Sequence, residues 1–395
     1  MKRVLLAFSG GLDTTYCARY LSVDRGMEVH TVVVNTGGFS NDDLDAIALR
    51  ASECKVASHT TLDRTQELYD TVLRFCIAGN VLKNAAYPLS VSAERVVQAM
   101  AIAQLALDMK VDAVAHGSTG AGNDQIRFDV VFKTLCPSID VLTPIRDSNL
   151  SREEEIDYLR RQHVVGDWTR SAYSINQGIW GTTIGGRETL TSDQPLPDEA
   201  YPSHHLPAAT SDDVISIGFE GGEPVRLNGS PLRPIEVIKA LNEIGSSHRI
   251  GRDIHVGDTI VGIKGRVAFE APAAMMVIKA HHALEKHTLT KWQLNLKDQL
   301  SMWYGQLLHE GQFLDRAMRS IEAFFSHTQE RVSGDVELLL SDQRFAVRGV
   351  RAKHGLMTST FAAYGESNRA WTADDVEGFA TIMSIAGRLD KEIGQ

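Results

Sequence analysis

Residues 9–15 read Ser-Gly-Gly-Leu-Asp-Thr-Thr, directly after the apolar run RVLLAF at 3–8. The run reads as a strand buried on both faces, and the chain from Asp13 onward as a helix, so the segment between them is a strand-to-helix turn. Such a turn is built to hold an anion. Gly10 and Gly11 let the backbone adopt dihedrals closed to other residues and approach a ligand, while the free N–H groups and the dipole of the helix face the same point. Ser9, Thr14 and Thr15 add hydroxyl donors. The segment contains no lysine, which disfavours a Walker-type phosphate loop. An ordinary glycine-rich turn is the competing reading.

A second segment, HGSTGAGNDQIRF at 116–128, is the more specific signal. Its three glycines permit close backbone approach, and Thr119, Asn123, Asp124, Gln125 and Arg127 crowd polar groups onto a short stretch. The Arg127 fork suits a carboxylate and Asp124 offers a counter-charge for an ammonium, which together describe a pocket for a zwitterion. The alternative is that Asp124 and Arg127, three residues apart on a helix, simply pair with each other.

These segments need a scaffold, and the hydrophobic pattern supplies one. Strand-like runs at 3–8, 28–35, 111–116 and 139–144 alternate with helical stretches such as 92–109. That alternation predicts an α/β fold with a parallel, doubly wound sheet, whose ligands bind beyond the carboxyl ends of the strands. The loops at 9–15, 34–38 and 116–124 should then share one rim. A capping box, Ser151 with Glu154, opens a helix over 150–162, and the pattern changes near Gly166. Beyond lie β-like runs at 214–219, 256–270 and 335–350, a helical block at 272–327, and a terminal helix over 373–393 with one apolar stripe. The expected division is 1–165 for the nucleotide, 166–365 as a second α+β substrate domain, and 366–395 as a C-terminal helix packed on its own chain or on a neighbour.

Across 395 residues the formal charge is −10, which argues against a nucleic-acid partner. Cys17, Cys54, Cys76 and Cys136 form no CxxC pair and read as small core residues in a reducing compartment. The apolar run at the start is too short for a signal peptide or a membrane span, so a cytoplasmic protein without a membrane partner is expected.

Residues 9–15 resemble the pyrophosphate loop of the N-type ATP pyrophosphatases, which cleave ATP to AMP and pyrophosphate. Residues 116–128 resemble the argininosuccinate synthases, whose corresponding segment reads His-Gly-Ala-Thr-Gly-Lys-Gly-Asn-Asp-Gln-Val-Arg-Phe. The likeness continues through Tyr173-Ser174-Ile175, Trp180, Thr183, residues 259–270 and Gln329-Glu330-Arg331-Val332. It implies an ATP-dependent, AMP-forming carbon–nitrogen ligase that joins citrulline to aspartate through a citrullyl-adenylate, with Mg²⁺ and a homotetramer. Adenylation is needed because a ureido oxygen is a poor leaving group, and catalysis is then mostly alignment and charge neutralisation. The resemblance assigns Ala7, Phe8, Ser9, Gly10, Gly11, Leu12, Asp13, Thr14, Thr15 and Gly117 to ATP. It assigns Thr119, Asn123 and Asp124 to aspartate, and Tyr87, Ser92, Asn123, Arg127, Ser174 and Thr183 to citrulline. Asp13, Asp124 and Arg127 are the catalytic candidates. Asp13 is also read as an order-giver for Mg²⁺ or, equally, as a helix N-cap; no metal-ligand set is assigned.

Two departures touch the citrulline side. A glycine, Gly257, stands where the resemblance expects glutamate, and Phe269 where it expects tyrosine; Tyr87 is followed by proline, and Ser90-Val91-Ser92 replaces Gly-Thr-Ser. An enclosed ammonium without a counter-charge is costly, so an N-acetyl- or N-succinyl-citrulline is an alternative substrate. Compensation by Asp258, by Ser90 or by water is the competing explanation. A tRNA-thiolating enzyme would want catalytic cysteines and a basic face, an amidotransferase a glutaminase nucleophile, and a non-enzymatic regulator degraded loops; none of these fits.

Overall fold

In the computed structural model every residue is described except 121, 165, 167, 169–172, 363–364, 366–368 and 395. The Lys-to-Ala step at Ala121 and the division points at 165 and 366 therefore lie outside the described residues.

The first sheet is parallel, in the order β3-β2-β1-β4-β5. Its strands are β1 (Arg3–Ala7), β2 (Glu28–Asn35), β3 (Ser58–Asp63), β4 (Ala113–Ala115) and β5 (Asp140–Leu142). Successive side chains of β1 enter opposite cores: Val4 and Leu6 pack with Tyr16, Cys17, Val29 and Ile47, and Leu5 with Val32, Ala103 and Phe132. A strand buried on both faces gives the unbroken apolar run seen in the sequence. The expected strands at 111–116 and 139–144 are shorter than their apolar runs. The edge strand β3 is half exposed and reads SHTTLD, a polar sequence without the apolar run that marks its neighbours.

The chain order reverses between β1 and β4, both of which point the same way. The loops after them lie on one rim, the crevice where doubly wound sheets hold ligands. The loop after β2 shares that rim.

The rest of the chain builds two antiparallel sheets, from strands β6 (Ser174–Asn176), β7 (Thr182–Gly185), β8 (Asp213–Glu220), β9 (Glu223–Leu227), β10 (Ser230–Pro231), β11 (Arg252–Asp258), β12 (Lys264–Glu270), β13 (Gly334–Ser341) and β14 (Arg344–Ala352). One has the order β10-β9-β8-β13-β14, the other β11-β12-β7-β6. The run expected at 256–270 is a hairpin, β11 and β12, and the helical block divides into Pro272–Thr288, Lys291–His309 and Arg316–Gln329.

Residues 68–97 share one apolar core with the later part of the chain: Val72, Ile77, Tyr87 and Leu89 pack with Trp180, Phe269, Tyr304 and Phe325. A buried polar knot pins the same junction. Glu285 Oε2 lies 2.8 Å from Lys297 Nζ and accepts from Asn80, while its Oε1 accepts from Gln329 Nε2. Lys297 also donates to the Ala78 carbonyl. Both charges are fully buried, and removing one alone would leave the other uncompensated, a loss of roughly 3–5 kcal/mol. Gln329, one of the residues carrying the resemblance, thus serves the scaffold.

All four cysteines are buried and free. Among the described residues no helix is long and apolar enough to cross a membrane. The terminal helix is two segments, Ala373–Met383 and Ile385–Ile393, and its stripe is uncovered: Phe379 is 66 % exposed and Ile382 67 %.

Candidate functional site

The turn after β1 needs Gly10, whose φ of +73° lies in the left-handed region. Gly11 occupies the N-cap position of the helix Leu12–Arg19, and no side chain caps it. The first N–H groups of that helix are therefore left for a ligand. Ser9 Oγ and Thr14 Oγ1 lie 3.3 Å apart, and Thr15 Oγ1 donates to the Gly10 carbonyl at 3.3 Å. Phe8 and Leu12 are buried and Ala7 half-buried, so these three offer backbone rather than side chain.

The loop after β4 leans on this turn. A Cβ at Gly117 would stand 3.2 Å from the Asp13 carbonyl carbon and 3.3 Å from Thr14 N, a crowding that a glycine avoids. His116 anchors the loop: its Nδ1 accepts from Ser118 N at 3.3 Å, and its Nε2 meets Asp129 Oδ1 at 3.0 Å. Thr119 is exposed at the tip. Asn123 Oδ1 accepts from Ile260 N at 2.8 Å, which docks the β11–β12 turn onto the loop.

Asp13 is corrected as a cap. It sits in the first helical turn and its carboxyl faces Glu155, not the helix terminus. Burial pushes Asp13 up despite that hydrogen bond, and burial together with the Asp13 carboxyl pushes Glu155 up to about 8. Glu155 Oε2 is buried without a partner.

Asp124 and Arg127 do pair, with Arg127 Nη1 at 2.9 Å from Asp124 Oδ1. The Arg127 fork is not presented to a ligand here, because Nε donates to the His309 carbonyl at 3.1 Å and Nη2 lies 3.3 Å from His309 Nδ1. Burial and Arg127 push His309 down to about 4, so it stays neutral and can accept. The second Asp124 oxygen takes Arg95 Nε at 2.8 Å. Burial would raise the Asp124 carboxyl, but Arg95 and Arg127 outweigh it and hold it below the usual carboxylate range.

Arg95 joins this cluster to the second sheet through Nη2, 2.8 Å from Asn176 Oδ1. Asn176, Thr183 and Phe269 are directly opposed across β6, β7 and β12 and so share one face. Phe269 meets the Tyr87 ring at 5.5 Å. Tyr87 is buried, with its hydroxyl 3.2 Å from Ser90 Oγ; Ser92 is buried with its Oγ partnerless, and Ser174 is exposed on β6. The residues assigned to ATP and aspartate thus lie on the loops of one rim; of those assigned to citrulline, Asn123 and Arg127 follow β4, Tyr87 and Ser92 lie at the start of the helix Ser90–Met109, and Ser174 and Thr183 lie on β6 and β7.

The position expected to hold a glutamate is filled differently. A Cβ at Gly257 would meet His255 Nε2 at 2.5 Å, and His255 stacks on Tyr87 at 5.5 Å. Asp258 does not supply the missing charge, since it pairs with Lys264 at 2.7 Å in an exposed position. Sequence reasoning missed Arg95, Asn176, Glu155 and His309. Only Arg95 had a local signal, lying three residues after Ser92 and so on the same helix face.

Two family descriptions match the chain: "Arginosuccinate synthase N-terminal HUP domain" over residues 3–165 and "Arginosuccinate synthase C-terminal domain" over 173–390. Relatives include argininosuccinate synthase of Methanocaldococcus jannaschii, 34% identical over 93% of this chain and 93% of its own length. That of Methanothermobacter thermautotrophicus is 35% identical over 98% of this chain and 97% of its own. That of Xylella fastidiosa is 34% identical, with coverage of 98% and 97%.

The raised Glu155 carboxyl carries a pH signature. Glu155 binds a proton in the folded chain up to about pH 8 but loses it near its ordinary value of 4.5 when unfolded, so its burial destabilises the fold increasingly as pH rises through that span. Glu155→Gln should remove this slope, gaining on the order of 2 kcal/mol over wild type between pH 5 and 8. Urea unfolding across that range measures it, and parallel curves would contradict the raised Glu155 carboxyl.

Proposed function

The chain belongs to the argininosuccinate synthase family, and from that premise we propose that it condenses citrulline with aspartate, using ATP and releasing AMP and pyrophosphate. The observation that carries this reading is the uncapped helix start at residues 10–14, in contact with Gly117 and one loop away from Asp124 and its two arginines.

The ureido oxygen of citrulline attacks the α-phosphorus of ATP and expels pyrophosphate. The aspartate amine then attacks the ureido carbon of the citrullyl-adenylate, and AMP leaves with the oxygen. Residues 7–15 and Gly117 bind the nucleotide, with the helix N–H groups and the hydroxyls of Ser9, Thr14 and Thr15 receiving the pyrophosphate. Thr119, Asn123 and Asp124 hold aspartate; Asp124 acts through the orientation that Arg95 and Arg127 impose on it. Tyr87, Ser92, Asn123, Arg127, Ser174 and Thr183 hold citrulline. For Arg127 to reach the substrate, one Nη must turn from its present partners, which leaves Nε on His309 as the pivot.

Mg²⁺ is part of the proposal. Among the described residues no group of three or more His, Cys, Asp or Glu could hold a metal alone. Asp13 with Glu155, whose Oε2 is buried and partnerless, fits an ion whose other ligands come from phosphate and water. Held there, such an ion would supply charge neutralisation for the departing pyrophosphate.

We also propose a division at 1–165, 166–365 and 366–395, a cytoplasmic location, and a homotetramer in which the terminal helix embraces a neighbour. The exposed stripe of Phe379, Ile382, Met383 and Leu389 supports that arm, since a stripe of this length calls for cover.

Purified protein should release pyrophosphate only when ATP, aspartate and citrulline are all present; release that ignores aspartate would contradict the ligase reading. A chain ending at Gly365 should sediment as a smaller species than the full chain, and an unchanged assembly would discredit the arm.

A further inference from the structure

Glu94 lies in the helix Ser90–Met109, 3 % exposed, and its Oε1 has no hydrogen-bond partner. A buried carboxyl oxygen left empty is costly and calls for an explanation. Its surroundings point to one. Glu94 is four residues beyond Ser90 and so on the same helix face, and Ser90 Oγ is 3.2 Å from the Tyr87 hydroxyl. On its other side the carboxyl presses on the connection between β6 and β7, so closely that a Cβ at Gly178 would overlap it. Glu94 is thus enclosed by Tyr87, Ser90 and the segment that carries Ser174 and Thr183. A second buried atom without a partner, Ser92 Oγ, lies two residues earlier.

Neighbouring groups do not use this carboxyl. Arg95 spends its donors on Asp124, Gln98 and Asn176. Asp124 is taken by two arginines, Asp258 by Lys264, and at Gly257 the space holds the His255 imidazole. Glu94 is therefore a carboxyl beside the citrulline side whose Oε1 has no partner and rests against the Gly178 backbone, so a group reaches it only as the β6–β7 connection shifts. Burial, opposed by Arg95 and assisted by Asp124, pushes it up to about 8, so an arriving cation would ionise it.

We propose that Glu94 receives the α-ammonium of citrulline and is a specificity-determining residue for a substrate with a free α-nitrogen. The inference rests on Tyr87, Ser92, Ser174 and Thr183 forming the citrulline side. As the ammonium enters, the Glu94 proton leaves to solvent and a carboxylate–ammonium pair forms. An acylated, neutral nitrogen would gain nothing from it.

The test compares wild type and Glu94→Gln on citrulline, on 5-ureidopentanoate, which is citrulline with hydrogen in place of the α-ammonium, and on N-acetylcitrulline, with ATP and aspartate saturating. Wild type should prefer citrulline. Glu94→Gln should lose roughly tenfold to hundredfold in kcat/KM for citrulline, mainly through KM, and remain within about twofold of wild type on 5-ureidopentanoate. Its melting temperature should match that of wild type, since the amide is nearly isosteric with the protonated carboxyl. Equal losses on both substrates, no loss on citrulline, or a wild-type preference for N-acetylcitrulline would overturn the proposal. Failure of wild type to use any of the three would overturn the ligase reading itself.

Discussion

A carboxylate held between two guanidinium groups organises this molecule. Asp124 begins the helix that follows the glycine-rich loop of β4; Arg95 comes from the helix Ser90–Met109, and Arg127 from the next turn of the Asp124 helix. A carboxylate drawn partly out of water is held by partners of this kind, the Asp124 side chain remaining 30 % exposed. Each arginine then reaches a further element: Arg95 reaches Asn176 on β6, and Arg127 reaches His309 at the end of a C-terminal helix. One charge cluster thus ties the parallel sheet to the antiparallel part of the chain, with the apolar core around Tyr87, Trp180 and Phe269 beneath it.

The division of labour follows from backbone geometry. Parallel strands send their loops to one rim, so two glycine-rich segments more than a hundred residues apart in sequence touch at Gly117 and Asp13. Main-chain N–H groups at a helix start serve phosphate without side-chain chemistry. Selection among small zwitterions falls to side chains, and these come from the helix and sheet facing that rim.

The anion loop, the parallel sheet and the amphipathic terminal helix were legible because each is a local pattern: a glycine pair after an apolar run, strands alternating with helices, a stripe at helical spacing. What was hidden depends on long-range contact. Asp13 read equally as an order-giver for Mg²⁺ or as a helix cap, because nothing near it in sequence reveals Glu155, over a hundred residues on. Arg127 read as a carboxylate clamp because His309 is equally remote. Glu94 stands in a helix rich in alanine and valine, where spacing alone cannot distinguish a solvent-facing glutamate from one sealed beneath Gly178. The strand β3 escaped notice because an edge position lets its sequence be polar.

In the proposed reaction the ureido oxygen becomes a leaving group by transfer to AMP. Citrulline labelled with ¹⁸O in the ureido group, turned over with ATP and aspartate, tests it directly by mass spectrometry of the products. The label should appear in the phosphate of AMP. Label in pyrophosphate or water, with unlabelled AMP, would contradict the account.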